Sequence, residues 1–134
     1  MPQFRKVTER FSVSPQITPD EAREAAASGV RLIINNRPDG EAPDQPVSTE
    51  IEAAARAAGA DYRRLPIVGR PTPEQARAQA QAVASAPGPV LAFCRSGTRS
   101  ITAWALGEAE AGRDRAEILR LASAAGYDLA PVLP

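Results

Sequence analysis

A four-residue apolar run, Val90-Leu91-Ala92-Phe93, passes directly into Cys94-Arg95-Ser96-Gly97-Thr98-Arg99-Ser100, and helical patterning follows from Ile101 to Ala111. The order reads strand, tight loop, helix, with the single cysteine of the chain at the strand's end. A loop so placed turns its backbone N–H groups inward at the positive end of a helix, where it can hold an anion. Arg95 and Arg99 add full positive charge. The pattern predicts a Cys94 thiol of lowered pKa, acting as a nucleophile at neutral pH.

Two absences narrow the chemistry. The chain has no histidine, which excludes Ser-His-Asp and Cys-His catalysis and histidine-bound metals. One cysteine allows no internal disulfide, no thiolate metal cluster and no resolving thiol. No metal and no cofactor are therefore expected. The 16 basic and 16 acidic residues cancel, which argues against nucleic-acid or anionic-membrane partners. No apolar run approaches the ~20 residues of a membrane span. Met1 to Lys6 lacks the apolar core of a signal peptide, so a cytoplasmic location is expected. Arginine outnumbers lysine 15 to 1, a coding bias pointing to a GC-rich bacterium.

Residues 1–134 read as one α/β domain with a mostly parallel central sheet flanked by helices. Phe4 to Val13 holds one or two short strands. Thr18-Pro19-Asp20-Glu21 opens a helix by a capping box, and Gly29 stops it. Val30 to Ile34 is a buried strand. Asn35 to Pro46 is a loop with a Pro-Asp-Gly turn. A second helix is expected from about Thr49, with a capping box through Glu52, ending at Gly59. Asp61 to Ile67 is a strand. Thr72-Pro73-Glu74-Gln75 opens a third helix, which Pro87-Gly88-Pro89 breaks. Gly112 ends the helix after the central loop, Asp114 caps another, and Gly126 ends that one. Tyr127 to Pro134 packs as a tail on the body. Ligands of such sheets sit off the carboxyl ends of the strands, where the loops 35–46, 68–72 and 94–100 gather.

The segments Gly29 to Glu41 and Cys94 to Ser100, with Trp104 one turn on, resemble a bacterial family of small phosphatase-like domains, described variously as sulfurtransferases and phosphatases. The same domain is fused to a beta-lactamase-like sulfur dioxygenase in the beta-lactamase hydrolase-like proteins. The resemblance runs from about Phe4 to Tyr127. It implies a dual-specificity-phosphatase-like fold with a cysteine-based Cys-X4-Arg anion loop, and a sulfur dioxygenase as a candidate partner.

Three departures from the cysteine phosphatases favour sulfur transfer. Those enzymes place the loop arginine six residues after the cysteine, whereas Arg99 is five after Cys94. The shortened ring suits a smaller guest than a phosphoryl group, such as the terminal sulfur of a persulfide, and rhodanese-type sulfurtransferases also have a short loop. Phe93 stands where phosphatases usually have histidine, and Gly69 where related folds carry an aspartate general acid. General acid catalysis is worth roughly 10²–10⁴-fold to an alkoxide leaving group, but thiolate or sulfite departs as an anion. The sequence reading is thus a sulfurtransferase forming a persulfide on Cys94 from thiosulfate or glutathione persulfide. The alternative is a cysteine phosphatase acting on a phosphate ester, and a third reading is a non-catalytic anion-binding or thiol-sensing module.

Cys94 and Arg99 are the expected catalytic pair. Arg95, Ser96, Gly97, Thr98, Ser100 and Arg37 are the expected anion-binding positions, with Gly97 supplying a conformation a Cβ disfavours. Ser100 reads equally as a donor to the thiolate and as a helix N-cap. Asp39, or Glu41, is the candidate substitute acid, although Asn36 and Asp39 also read as turn residues bonded to their own backbone. Arg70 reads equally as an anion contact and as a solvated arginine, and Gln16 as a residue leaning weakly on the site. Trp104 reads as core.

Overall fold

The computed structural model describes residues 4–134, so the first three residues of the Met1–Lys6 stretch lie outside the described residues. In chain order the elements are β1 (Arg5–Lys6), β2 (Phe11–Ser14), α1 (Pro19–Ala27), β3 (Leu32–Asn35) and α2 (Ser48–Ala57), then β4 (Asp61–Arg64), α3 (Pro73–Ser85), β5 (Val90–Phe93), α4 (Thr98–Glu110) and α5 (Arg115–Ala124). The sheet order is β1-β2-β5-β3-β4. Among the described residues only the β1–β2 pair is antiparallel; β5 runs parallel to β2 and β3, and β3 parallel to β4.

Side chains alternate across a strand, so a continuously apolar strand needs cover on both faces. Leu32, Ile34, Val90 and Ala92 face one core with Phe11, Ile101, Trp104 and Ile118. Ile33, Leu91 and Phe93 face the other with Ile17, Ile51 and the alanines of α1 and α2. Phe93 and Leu91 are wholly buried, and each such side chain contributes about 1.5–3 kcal/mol over its exposed state. Trp104 belongs to this core, stacked on Phe11 with ring centroids 6.1 Å apart.

Register fixes the site. Ser14, Phe93 and Asn35 are level across β2, β5 and β3. The residues that follow them, Pro15-Gln16, Cys94 and Asn36-Arg37, therefore leave the sheet at one edge.

Several helix starts follow the expected chemistry. Thr18 and Thr72 each form a complete capping box, and Asp114 caps α5. Two do not. The box expected at Thr49–Glu52 is absent: α2 begins at Ser48 behind Val47, which makes no side-chain cap, and the Ser48 amide is instead received by Asp39 Oδ1 at 3.1 Å. Helix α4 begins earlier than Ile101, because Gly97 at φ +89° forms its N-cap. The tail packs as expected, with Leu129 and Leu133 buried.

Candidate active site

Cys94 directly follows β5 and has no solvent exposure (0%). Its sulfur accepts the Gly97 amide at 3.2 Å, the one backbone donor bonded to it among the described residues. Thr98, Arg99 and Ser100 follow in the first turn of α4, where helix amides lack partners within the helix and present a positive end to the site.

Arg99 projects from that turn and is clamped. Its Nη1 donates to Glu41 Oε2 at 2.7 Å and to the Ile67 carbonyl at 2.8 Å, and its Nη2 donates to Glu41 Oε1 at 2.8 Å. Of the five N–H groups of a guanidinium, these bonds leave Nε–H and one on Nη2. Those two share one edge and form a bidentate fork for an oxyanion. The Arg99 guanidinium is held above its ordinary pKa, first by the Glu41 carboxylate, against its partial burial, and further by the negative charge of Cys94.

Glu41 also receives Arg37 Nε at 2.9 Å, while Arg37 Nη1 reaches Gln16 Oε1 at 3.1 Å. Two guanidinium groups bring the Glu41 carboxyl down to about 2, with the Arg99 hydrogen bond the largest cause, burial opposing it and Arg37 adding to it. Glu41 is ionised at neutral pH and cannot serve as the proton donor. Asp39 is committed elsewhere: besides the Ser48 amide, it holds Arg64 at 2.8 Å. The 65–70 segment supplies no carboxyl in its place, since Gly69 has no side chain and Arg70 donates to Val132 O at 2.8 Å in the tail.

The expected anion-binding positions divide. Arg37 and Gln16 join the cluster around Glu41. Arg95 is exposed, its guanidinium makes no hydrogen bond among the described residues, and its carbonyl accepts the Gln16 amide at 3.3 Å. Ser96 Oγ donates to Thr98 Oγ1 at 3.0 Å, both on the exposed side of the loop. Ser100 fits neither expected role. The early start at Gly97 puts it inside the helix, and its buried hydroxyl finds no partner among the described residues, Cys94 included.

Two residues of the site, Gln79 and Tyr127, escape the sequence, and Asn36 and Glu41 take roles other than the expected ones. Gln79, buried in α3, accepts from Asn36 Nδ2 at 2.8 Å and donates to the Ser100 carbonyl at 3.0 Å, tying the loop after β3 to the first turn of α4. Asn36 donates also to Leu65 O at 2.9 Å, so it braces a neighbouring segment rather than its own turn; Asn35 makes the local bond, Oδ1 to the Arg37 amide at 2.8 Å. Glu41 proves to be an arginine clamp. Tyr127 donates to the Ser96 carbonyl at 2.8 Å. Burial first, and the Cys94 charge in addition, push the Tyr127 phenol above its usual pKa against the pull of Arg5, so the hydroxyl keeps its proton at neutral pH.

A central parallel strand followed at once by a cysteine, a left-handed glycine, and a helix that opens with a clamped arginine define a single α/β domain of the dual-specificity-phosphatase-like fold. Comparison with known proteins narrows the class. Residues 3–111 match the family of the beta-lactamase hydrolase-like protein, phosphatase-like domain, and the chain belongs to that family. The beta-lactamase hydrolase-like proteins of Agrobacterium fabrum and Xylella fastidiosa are each 42% identical to it across 92% of the chain. The chain spans only 29% of the length of either relative. The crystal structure of a "putative phosphatase" from Neisseria meningitidis matches with a TM-score of 0.88 at 33% identity, covering 98% of this chain and 94% of that one. The kinase-associated phosphatase shares the fold at a TM-score of 0.70 and 12% identity, over 90% of this chain and 80% of that one. These likenesses back the phosphatase alternative better than the sulfurtransferase reading. No helix among the described residues is long and apolar enough to cross a membrane.

Proposed function

We propose that the chain is a cysteine-dependent phosphatase, hydrolysing phosphoric monoesters through a phosphocysteine. The observation that carries this is the Arg99 guanidinium, braced on one edge by Glu41 and Ile67 O with its Nε/Nη2 edge left for an oxyanion. The family match and the Neisseria meningitidis neighbour support it.

In the first step the Cys94 thiolate attacks phosphorus. The S–P bond forms as the ester P–O bond breaks, and the bond pair leaves with the ester oxygen. Arg99 and the Gly97 amide stabilise the charge on the transferring group and on sulfur. In the second step water adds to phosphorus, the S–P bond breaks, and inorganic phosphate and the thiolate are released. With Asp39 committed, Glu41 ionised and Gly69 in the usual place of the acid, the departing oxygen takes its proton from solvent. The substrates are therefore small anionic monoesters with good leaving groups, aryl before alkyl.

Turnover of p-nitrophenyl phosphate, lost in Cys94→Ser and exceeding that of an alkyl phosphate by more than 10²-fold, is the expected result. The loop length, with Arg99 five residues after Cys94, favours persulfide chemistry as a second reading. A sulfur adduct on Cys94 after thiosulfate treatment, combined with no ester hydrolysis, would establish that reading and overturn the first.

A further inference from the structure

We propose that Tyr127 is a positioning residue for Cys94: by holding the Ser96 carbonyl, its hydroxyl turns the Gly97 N–H onto the cysteine sulfur. The inference rests on the same site as the proposed phosphatase but concerns the thiol and not the substrate.

The Ser96 carbonyl and the Gly97 N–H belong to one peptide group. In a trans peptide they point in opposite directions, and no cis bond occurs among the described residues. Tyr127 Oη donates to the carbonyl end at 2.8 Å, and the amide end donates to Cys94 Sγ at 3.2 Å. Fixing one end aims the other. A bond accepted by the carbonyl also polarises the peptide and strengthens its N–H as a donor. The sulfur has no second backbone donor among the described residues, so the orientation of this one plane sets how well the amides hold a thiolate.

Tyr127 is itself held. Its amide donates to Ala122 O at 2.9 Å just past α5. Arg5 lies over its ring, 5.4 Å from the centroid, while donating to Ala125 O at 3.3 Å. Gly97 is shaped to receive it, since a Cβ there would collide with the Tyr127 hydroxyl. Tyr127 also lies beyond the family match at residues 3–111, so the brace comes from the C-terminal part of this chain.

The charged and titratable groups around Cys94 are Arg99 from α4, with Glu41 and Arg37 behind it, Arg95 beside it in the loop, and Tyr127 from the tail with Arg5 of β1 over its ring. Tyr127→Phe alters only the hydroxyl. Cys94 is the single cysteine, so iodoacetamide reports on it alone in the full-length chain. Each alkylation rate is taken relative to the same protein's alkaline plateau, which separates ionisation from access. The expected result is a relative rate at pH 6.5 about three- to tenfold lower in Tyr127→Phe, with an unchanged plateau. Equal relative rates, or a fall confined to the plateau, would overturn the proposal. A second measurement needs no variant: in the wild type the Gly97 amide should exchange with deuterium at least tenfold more slowly than the Arg95 amide, and equal exchange would also overturn it. Alkylation does not read turnover, so failure of ester hydrolysis and failure of this inference are distinguishable.

Discussion

Gln79 reaches from the middle of α3 to the main-chain carbonyl of Ser100, its Nε2 3.0 Å from that oxygen. The contact joins a cover helix to the turn that presents Arg99. With Asn36 on its other end, it makes the amide side chain of Gln79 the internal brace of the anion loop.

Replacing Gln79 by Leu keeps the volume and removes both bonds. Asn36 Nδ2 would keep Leu65 O, but the Ser100 carbonyl would lose its side-chain partner in a buried setting. A loss of about 1–3 kcal/mol is expected, read as a lower midpoint in urea with an unchanged slope. Gln79→Leu should also lower kcat more than it raises KM, because the displaced element is the reacting loop.

Gly97→Ala meets two obstacles, a backbone at φ +89° and the Tyr127 hydroxyl. The two separate in the double variant with Tyr127→Phe, which removes the hydroxyl collision, keeps the ring carbon 3.0 Å from the new Cβ and leaves the conformation. The single variant should lose about 1–3 kcal/mol and the double variant should recover part of it. Full recovery would mean that the left-handed conformation costs nothing there.

Glu41 ties stability to acid. Its carboxyl lies at about 2 in the folded chain against an ordinary 4.5, so its stabilisation is complete above pH 4.5 and is lost as pH falls toward 2. The difference in denaturation midpoint between wild type and Glu41→Gln should be constant near neutrality and should close across that window. A difference that persists at pH 2 would contradict the ion-pair account.

Arg99→Lys retains one positive charge but not the fork. A lysine cannot serve Glu41, Ile67 O and an oxyanion edge together. A fall in kcat of about 10²–10³-fold is expected, with folding near that of wild type.

Local patterns made much of this legible. The strand Val90–Phe93, the loop from Cys94 to Arg99, and the boxes at Thr18 and Thr72 are each written within a few residues. What stayed hidden acts across long chain separations. Asp39 caps α2 from nine residues away, whereas the Thr49–Glu52 pattern offered a nearer but wrong cap. Ser100 read as a cap because a left-handed glycine can open a helix earlier than the first apolar residue suggests. Gln79 looked like one more polar residue on an alanine-rich helix. Its spacing with the buried Ala76 and Ala82 was the available signal, since the three share the inward stripe of α3. Tyr127 carried no such signal, because its partner lies 31 residues away in a loop.

Glu41 has one more consequence. By pairing with Arg37 and Arg99 it leaves the cluster with a single excess positive charge rather than two. A dianion formed in such a pocket meets a built-in competitor for its cations. Inorganic phosphate should therefore depart readily, and product inhibition should stay weak at concentrations that would saturate an uncompensated pair of arginines.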